Sequence, residues 1–261
     1  MPEEHDHTSV SEMNLGPWLK KIIHAIFYLD GSVPGTLAAL MFKPGKLTLA
    51  GWRAGGDRQF QPLNLYFAVN ILFFFLAPLL STPQFQVFEF NLQSISRDHP
   101  VYQQWIEKRT RDARVSPEIY TERFNMHMKY NKPALVFLVV PLLALFLKLL
   151  YIRTNFVKHL IFALHYLSFF LLALLCSLLL FRILTPIGGM LGVTHTSAIA
   201  AVLVVSLFLW LAIYTLLSIR RVYRGAWYAI LLKSGLLLIG LFIALGLYTQ
   251  FLFFYVLLIL N

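Results

Sequence analysis

An all-α integral membrane protein with about five transmembrane helices is the fold class this sequence predicts, and three observations predict it. Hydrophobic residues make up 58% of the 261-residue chain and charged residues only 13%, where soluble domains carry about 45–50% and about 25%. The apolar residues gather into five runs that can each cross a bilayer, because about 20 residues at a rise of ~1.5 Å span a ~30 Å hydrocarbon core. The formal net charge of +10 is unevenly placed: residues 1–122 hold 11 basic and 12 acidic side chains, residues 123–261 hold 11 basic and no acidic ones. Nucleic-acid binding needs cations clustered on a solvated face. Here they punctuate apolar runs, so no nucleic-acid partner is expected, and membrane topology explains the charge.

The N-terminal residues 1–13 are acidic and polar, without the basic and apolar regions of a secretory signal. Insertion is therefore expected to be directed by an internal span. Residues 18–29 place Trp18, Ile22, Ala25, Ile26 and Leu29 on one helical face and Lys20, Lys21, His24 and Tyr28 on the other. Twelve residues are too few to cross, so Trp18, Lys20 and Lys21 mark an amphipathic helix on the membrane surface, where each Lys contributes on the order of 1 kcal/mol. A second short helix is expected from Pro34 to just before the breaker pair Pro44-Gly45, and Gly55-Gly56-Asp57 reads as a turn.

The five runs are residues 63–80, 133–152, 159–184, 197–219 and 229–260, with residues 81–132 as a long helical loop outside the membrane. Pro62 and Pro133 open the first two, where a missing N–H is harmless, and Pro141 predicts a kink inside the second. Within the loop, residues 101–115 suit an amphipathic helix with a Glu107–Arg111 pair, and Ser116-Pro117-Glu118 suits a helix start. The last run is too long for one straight span: 32 residues measure about 48 Å. A break is predicted at residues 246–250.

Orientation follows from the basic residues beside short connections. Residues 153–158 carry Arg153 and Lys158, and residues 220–228 carry Arg220, Arg221 and Arg224, whereas 185–196 carry no Lys or Arg. The N-terminus and both basic connections are expected in the cytoplasm, and the C-terminus outside.

Cys176 is the single cysteine, which excludes an intramolecular disulfide and a Cys-based zinc site. The sequence has no Gly-rich phosphate loop, no HExxH and no GxSxG. No catalytic residue, metal ligand or cofactor is assigned. The candidates are therefore scattered polar residues inside the spans: Asn70, His159, His165, Tyr166, Arg220, Arg221 and Tyr223. At 100° per residue His159 and His165 lie 120° apart and about 9 Å along the axis. They mark two faces: His159 aligns with Tyr166, Ala173 and Ser177, and His165 with Ser168, Leu172 and Cys176. One reading makes a face a proton or substrate path; the more economical one puts His159 at the interface and bonds His165 to a neighbouring helix. Lys148, Arg182 and Lys233 lie within about 6 Å of a span end and are expected to snorkel to headgroups. Lys108, Arg109, Arg111 and Arg114 read as a solvated helix face, and Met126-His127-Met128 offers one isolated triplet of soft ligands suited to Cu(I). With no carboxylate after Glu122, the last four spans have no Asp or Glu to relay protons or pair a buried cation.

Several local patterns occur in a recognisable order: Leu29-Asp30-Gly31, Thr36-Leu37, Lys43-Pro44-Gly45-Lys46, Gly51-Trp52-Arg53 and Pro62-Leu63. Val157-Lys158-His159-Leu160, Phe162-Ala163-Leu164-His165, Tyr214, Arg220-Arg221-Val222-Tyr223 and Lys233 follow. Over residues 28–245 this resembles a family of bacterial multi-pass inner-membrane proteins known as a domain of unknown function. Members often begin with a zinc ribbon; this N-terminus has no Cys, so no zinc is implied, and Gly55-Gly56-Asp57 looks like a small insertion. The resemblance implies a location in the bacterial cytoplasmic membrane and an architecture, but no reaction. The expected role is a non-enzymatic accessory or scaffold component with the lipid bilayer and a membrane protein as partners. A small-solute transporter or channel is the alternative, and predicts a polar cavity reaching His165, Asn70 or Gln250. A lipid-active membrane enzyme is the third reading, and predicts polar groups converging near His159, Tyr223 and Arg221.

Overall fold

A computed structural model describes residues 33–54, 62–82, 104, 107–111, 116–190 and 196–260. The amphipathic segment carrying Trp18, Lys20 and Lys21 and the Gly55-Gly56-Asp57 turn lie outside the described residues. The main helices are α1 (Val33–Phe42), α2 (Lys46–Ala54), α3 (Pro62–Leu80), α4 (Pro117–Leu135), α5 (Val139–Leu150), α6 (Phe156–Met190), α7 (Thr196–Tyr223) and α8 (Trp227–Ile259). A 3₁₀ turn, Val136–Leu138, joins α4 to α5. Five helical stretches are long and apolar enough to cross a membrane: α3, the α4–α5 rod, α6, α7 and α8. Their outer faces expose large apolar side chains such as Phe75, Leu79, Val202 and Leu258. Helices can do this in lipid because their backbone groups are satisfied internally.

The bundle is organised around α6. Every residue from 162 to 175 is buried, on all faces of the helix, because α3, α5, α7 and both short helices pack against it. The helix α8 completes the bundle against α5 and α7. Close approach there rests on Gly240: a Cβ at this position would lie 2.5 Å from the Phe146 ring of α5.

The α1 helix sits where the sequence expects a short helix, whereas α2 is not among the expected helices, and of the two only α2 is amphipathic. In α1 the segment VPGTLAALMF is nearly all apolar, burying Leu40 and Met41 and leaving Phe42 exposed. The turn between them uses Gly45 at φ +71°, a left-handed conformation that favours glycine. A Cβ there would also stand 2.9 Å from Val222 Cγ2 and 3.2 Å from the Ser218 carbonyl, so Gly45 lets the turn seat against α7.

Three boundaries differ from the sequence reading. Pro133 does not open a span but lies inside α4, which starts at the expected Ser116-Pro117 cap with Ile119 N–H donating to Ser116 Oγ. The irregularity attributed to Pro141 falls one turn earlier, at the 3₁₀ turn, since Pro141 offers no N–H to the Phe137 carbonyl. The α6 helix runs on through Thr185 and Pro186 to Met190, so much of the expected 185–196 connection is helical.

The largest correction concerns the last run. No break occurs at residues 246–250; α8 is one helix of 33 residues. One face of this last stretch is covered by protein, while Phe251, Phe254 and Leu258 on the other stay exposed. Leu252, Phe253, Val256 and Leu257 are buried, with α4 packed alongside and the Phe124 and Phe253 rings 5.4 Å apart. From Lys132 to Lys148 the α4–α5 rod rises about 24 Å, nearly the hydrocarbon thickness. The part of α4 before Lys132 and the last turns of α8 thus form a helix pair that continues past it.

Candidate functional site

The basic connections converge at one end of the bundle, and the polar candidates there form a cluster around Tyr223. This residue closes α7, and α2, the α5–α6 connection and the start of α6 all reach it. The start of α6 is set by Asn155, whose Oδ1 accepts from Val157 N–H at 3.0 Å. That fixes His159 in the first turn, fully buried. His159 Nε2 lies 3.3 Å from the Tyr151 carbonyl and Nδ1 lies 2.8 Å from Tyr223 Oη. A carbonyl only accepts, so Nε2 carries the proton, and Nδ1 of the neutral ring accepts from the Tyr223 hydroxyl.

Aromatic faces enclose this bond. The Tyr151 ring stacks on Tyr223 at 4.0 Å, Phe162 lies at 5.5 Å, and Trp52 meets it edge-on at 5.4 Å. Trp52 Nε1 donates to the Lys158 carbonyl at 3.0 Å, pinning α2 to α6. Lys233 Nζ stands 3.9 Å from the Tyr151 ring centroid and donates to the Leu150 carbonyl at 2.8 Å. Lys148 Nζ donates to the Ile152 and Thr154 carbonyls. Both lysines therefore close the C-terminal end of α5, where carbonyls lack intrahelical partners. The ammonium groups expected to reach headgroups bond protein carbonyls here. Arg182, toward the other end of α6, is exposed. Tyr151 lies in the connection itself, and burial pushes its phenol up to about 12.

The two-face argument for α6 holds. On the His159 face, Tyr166 Oη lies 2.6 Å from Thr215 Oγ1 of α7, and Thr215 in turn donates to the Leu211 carbonyl. The Thr215 proton is thus committed, and Tyr166 is the donor between them. On the other face, His165 Nδ1 donates to the Ile161 carbonyl at 2.9 Å, with Thr48 Oγ1 of α2 3.4 Å from the same nitrogen. One face of α6 fastens α7 and the other meets α2.

The remaining candidates do not join the cluster. Arg221 Nη1 donates to the Pro44 carbonyl at 2.7 Å, tying α7 to the α1–α2 turn, and Arg220 is exposed. Asn70 of α3 is buried further along the bundle, where its Nδ2 donates to the Pro133 carbonyl at 3.1 Å and to Tyr66 Oη at 3.3 Å. Nearby, Tyr248 Oη donates to the Lys132 carbonyl at 3.0 Å. The cavity beside Tyr248 and Leu171 holds about 10 Å³, at the lower limit for a single water. Gln250 is exposed on α8. Met126 is exposed and Met128 buried, so two members of the Met-His-Met triplet face opposite ways. Among the described residues no three His, Cys, Asp or Glu side chains gather as a metal site.

Chemically, His159, Tyr223, Trp52, Lys148 and Lys233 are each engaged in a hydrogen bond, and the Tyr151 hydroxyl is buried without a partner among the described residues. The path from Tyr223 through His159 ends on the Tyr151 carbonyl, which cannot pass a proton on. Sequence reasoning missed Trp52, Tyr151, Thr48, Thr215, Tyr66 and Tyr248. Only Trp52 left a signal, as the centre of Gly51-Trp52-Arg53; the others are ordinary residues whose partners lie on distant segments. No protein-family model, curated protein or solved structure matches the chain.

Proposed function

We propose that this protein is a non-enzymatic accessory or scaffold component of a bacterial cytoplasmic membrane, with its basic end in the cytoplasm and its C-terminus outside. The observation that carries this reading is the use of the candidate polar side chains inside the bundle to fasten helices to one another. His159 and Tyr166 hold α7, His165 meets α2, and Asn70 and Tyr248 brace the α4–α5 rod. Transport needs polar groups facing a traversable cavity, and lipid chemistry needs Arg221 turned toward His159; the cavity beside Tyr248 holds about 10 Å³ and is lined by none of His165, Asn70 or Gln250, and the Arg221 guanidinium is bonded to the Pro44 carbonyl. The orientation is supported by the gathering of Lys148, Arg153, Lys158, Arg220, Arg221, Arg224 and Lys233 toward one end. The bacterial location is supported by the family resemblance.

The test is purification in mild detergent after cross-linking in membranes, paired with reconstitution of the pure protein into liposomes. A stoichiometric membrane-protein companion and inert liposomes are expected. Solute flux or lipid turnover by the protein alone overturns the accessory reading. Reporter fusions at Arg153, Arg220 and Asn261 test orientation separately, and an outside location for Arg220 overturns it.

A further inference from the structure

Where α7 ends and α8 begins, the two helices part around a cleft of about 450 Å³ lined by Leu216, Leu217, Arg220, Arg224, Trp227 and Leu231 among others. Its chemistry is divided. Two guanidiniums stand at the lip, and leucine side chains make the wall. Among the described residues no carboxylate pairs with either arginine, and both line the same cleft.

The connecting turn sets the second arginine: Arg224, directly after α7, adopts φ 52°, the left-handed conformation that commonly ends a helix, and Gly225 follows at φ 137°. Arg224 lines the same cleft as Arg220. Trp227 lines the same cleft and is 77% exposed, and its neighbour Tyr228 is 67% exposed, as amphipathic aromatics are at headgroup level.

We propose that this cleft holds one anionic glycerophospholipid, its phosphate gripped by Arg220 and Arg224 and an acyl chain laid along Leu216, Leu217 and Leu231. Guanidinium forks suit phosphate oxygens, and the leucine wall selects a lipid over a soluble phosphate. A second basic cleft of about 450 Å³, lined by Lys43, Lys46, Arg53 and Arg221 among others, is a weaker candidate because Arg221 is already bonded to Pro44. The proposal goes beyond the scaffold reading. Lipid retention and partner co-purification are separate measurements and fail separately.

Native mass spectrometry of the full chain, from micelles containing phosphatidylglycerol or phosphatidylcholine, tests it. The wild type should retain one more phosphatidylglycerol than phosphatidylcholine. R220Q/R224Q should bind that lipid about 30-fold more weakly, roughly fivefold for each cation, while R182Q at the opposite end should retain it. L217W, which fills the wall without changing charge, should also lose it and carries the test if the double arginine variant does not fold. Equal retention of both lipids by the wild type, or undiminished retention by a folded R220Q/R224Q or by L217W, overturns the proposal. Displacement of the lipid by millimolar inorganic phosphate also overturns it, by moving the site to a soluble anion.

Discussion

Replacing Tyr223 with Phe separates the two things that Tyr223 does. The hydroxyl donates one bond to His159 Nδ1 at 2.8 Å, and the ring packs against Tyr151, Phe162 and Trp52 at 4.0, 5.5 and 5.4 Å. Tyr223→Phe keeps the ring and leaves a buried imidazole nitrogen unsatisfied, at a cost of ~1–3 kcal/mol in water-soluble proteins. Interhelical bonds in membranes average ~0.6 and reach ~1.7 kcal/mol, because the unfolded chain also finds partners. The expected loss is therefore about 1 kcal/mol. Tyr223→Ala also removes the ring, and large aromatic truncations cost ~3–5 kcal/mol. The ring should outweigh the hydroxyl about threefold. Unfolding in mixed detergent micelles with rising SDS measures both, followed by tryptophan fluorescence, since Trp52 touches Tyr223. A double-mutant cycle of Tyr223→Phe with His159→Phe should return a coupling of about 1 kcal/mol. Equal destabilisation by Phe and Ala, or a coupling of zero, would refute the account of the cluster.

Gly240→Ala should destabilise by ~1–3 kcal/mol through overpacking against Phe146, and Phe146→Leu in the same chain should recover much of the loss in the SDS assay. Gly45→Ala should cost at least ~1–2 kcal/mol for the left-handed backbone alone. Because Val222 supplies only part of the clash, Val222→Ala should rescue it incompletely. The Tyr151 phenol should ionise near 12 rather than its ordinary 10.0 in an ultraviolet titration; a raised folded-state value means its stabilisation is present below pH 10 and lost as pH rises toward 12. Truncation after Thr249 should uncover Phe124 and Met128 and open Arg123 and Lys129 to trypsin, with Phe253→Ala showing a weaker form of the same change. Unchanged cleavage in both would sink the pairing of α4 with α8.

The spans were legible because lipid imposes a coarse rule: long apolar runs survive there only as helices. The two faces of α6 were legible for a similar reason, since helical periodicity alone separates His159 from His165. What failed was the reading of helix ends. Pro133 looked like a first residue because an interior proline removes a bond. In the bundle, Asn70 and Tyr248 donate to the Pro133 and Lys132 carbonyls and brace this stretch of α4, although Pro133 leaves the Lys129 carbonyl without its N–H. Contacts from neighbouring helices, rather than the local sequence, hold the chain helical there. The identity of those neighbours is a long-range fact, absent from any window of the sequence.

The same reasoning explains why the last run misled. A break at residues 246–250 follows if lipid is the only environment open to residues 251–260, because a ~30 Å core cannot hold so long a helix. The premise omitted α4, whose Tyr120, Phe124 and Met128 are buried on one side of a helix that otherwise looks polar. Three apolar residues spaced four apart form a stripe too narrow for a span but wide enough to accept one face of α8. Two segments that each look anomalous alone, a semi-polar helix with an apolar stripe and an apolar run of excess length, thus account for each other. At the basic end the fastening is polar and aromatic, through Tyr223, His159 and Trp52; beyond the opposite end it is this helix pair. The two ends rest on unrelated interactions, so damage to one should leave the other in place.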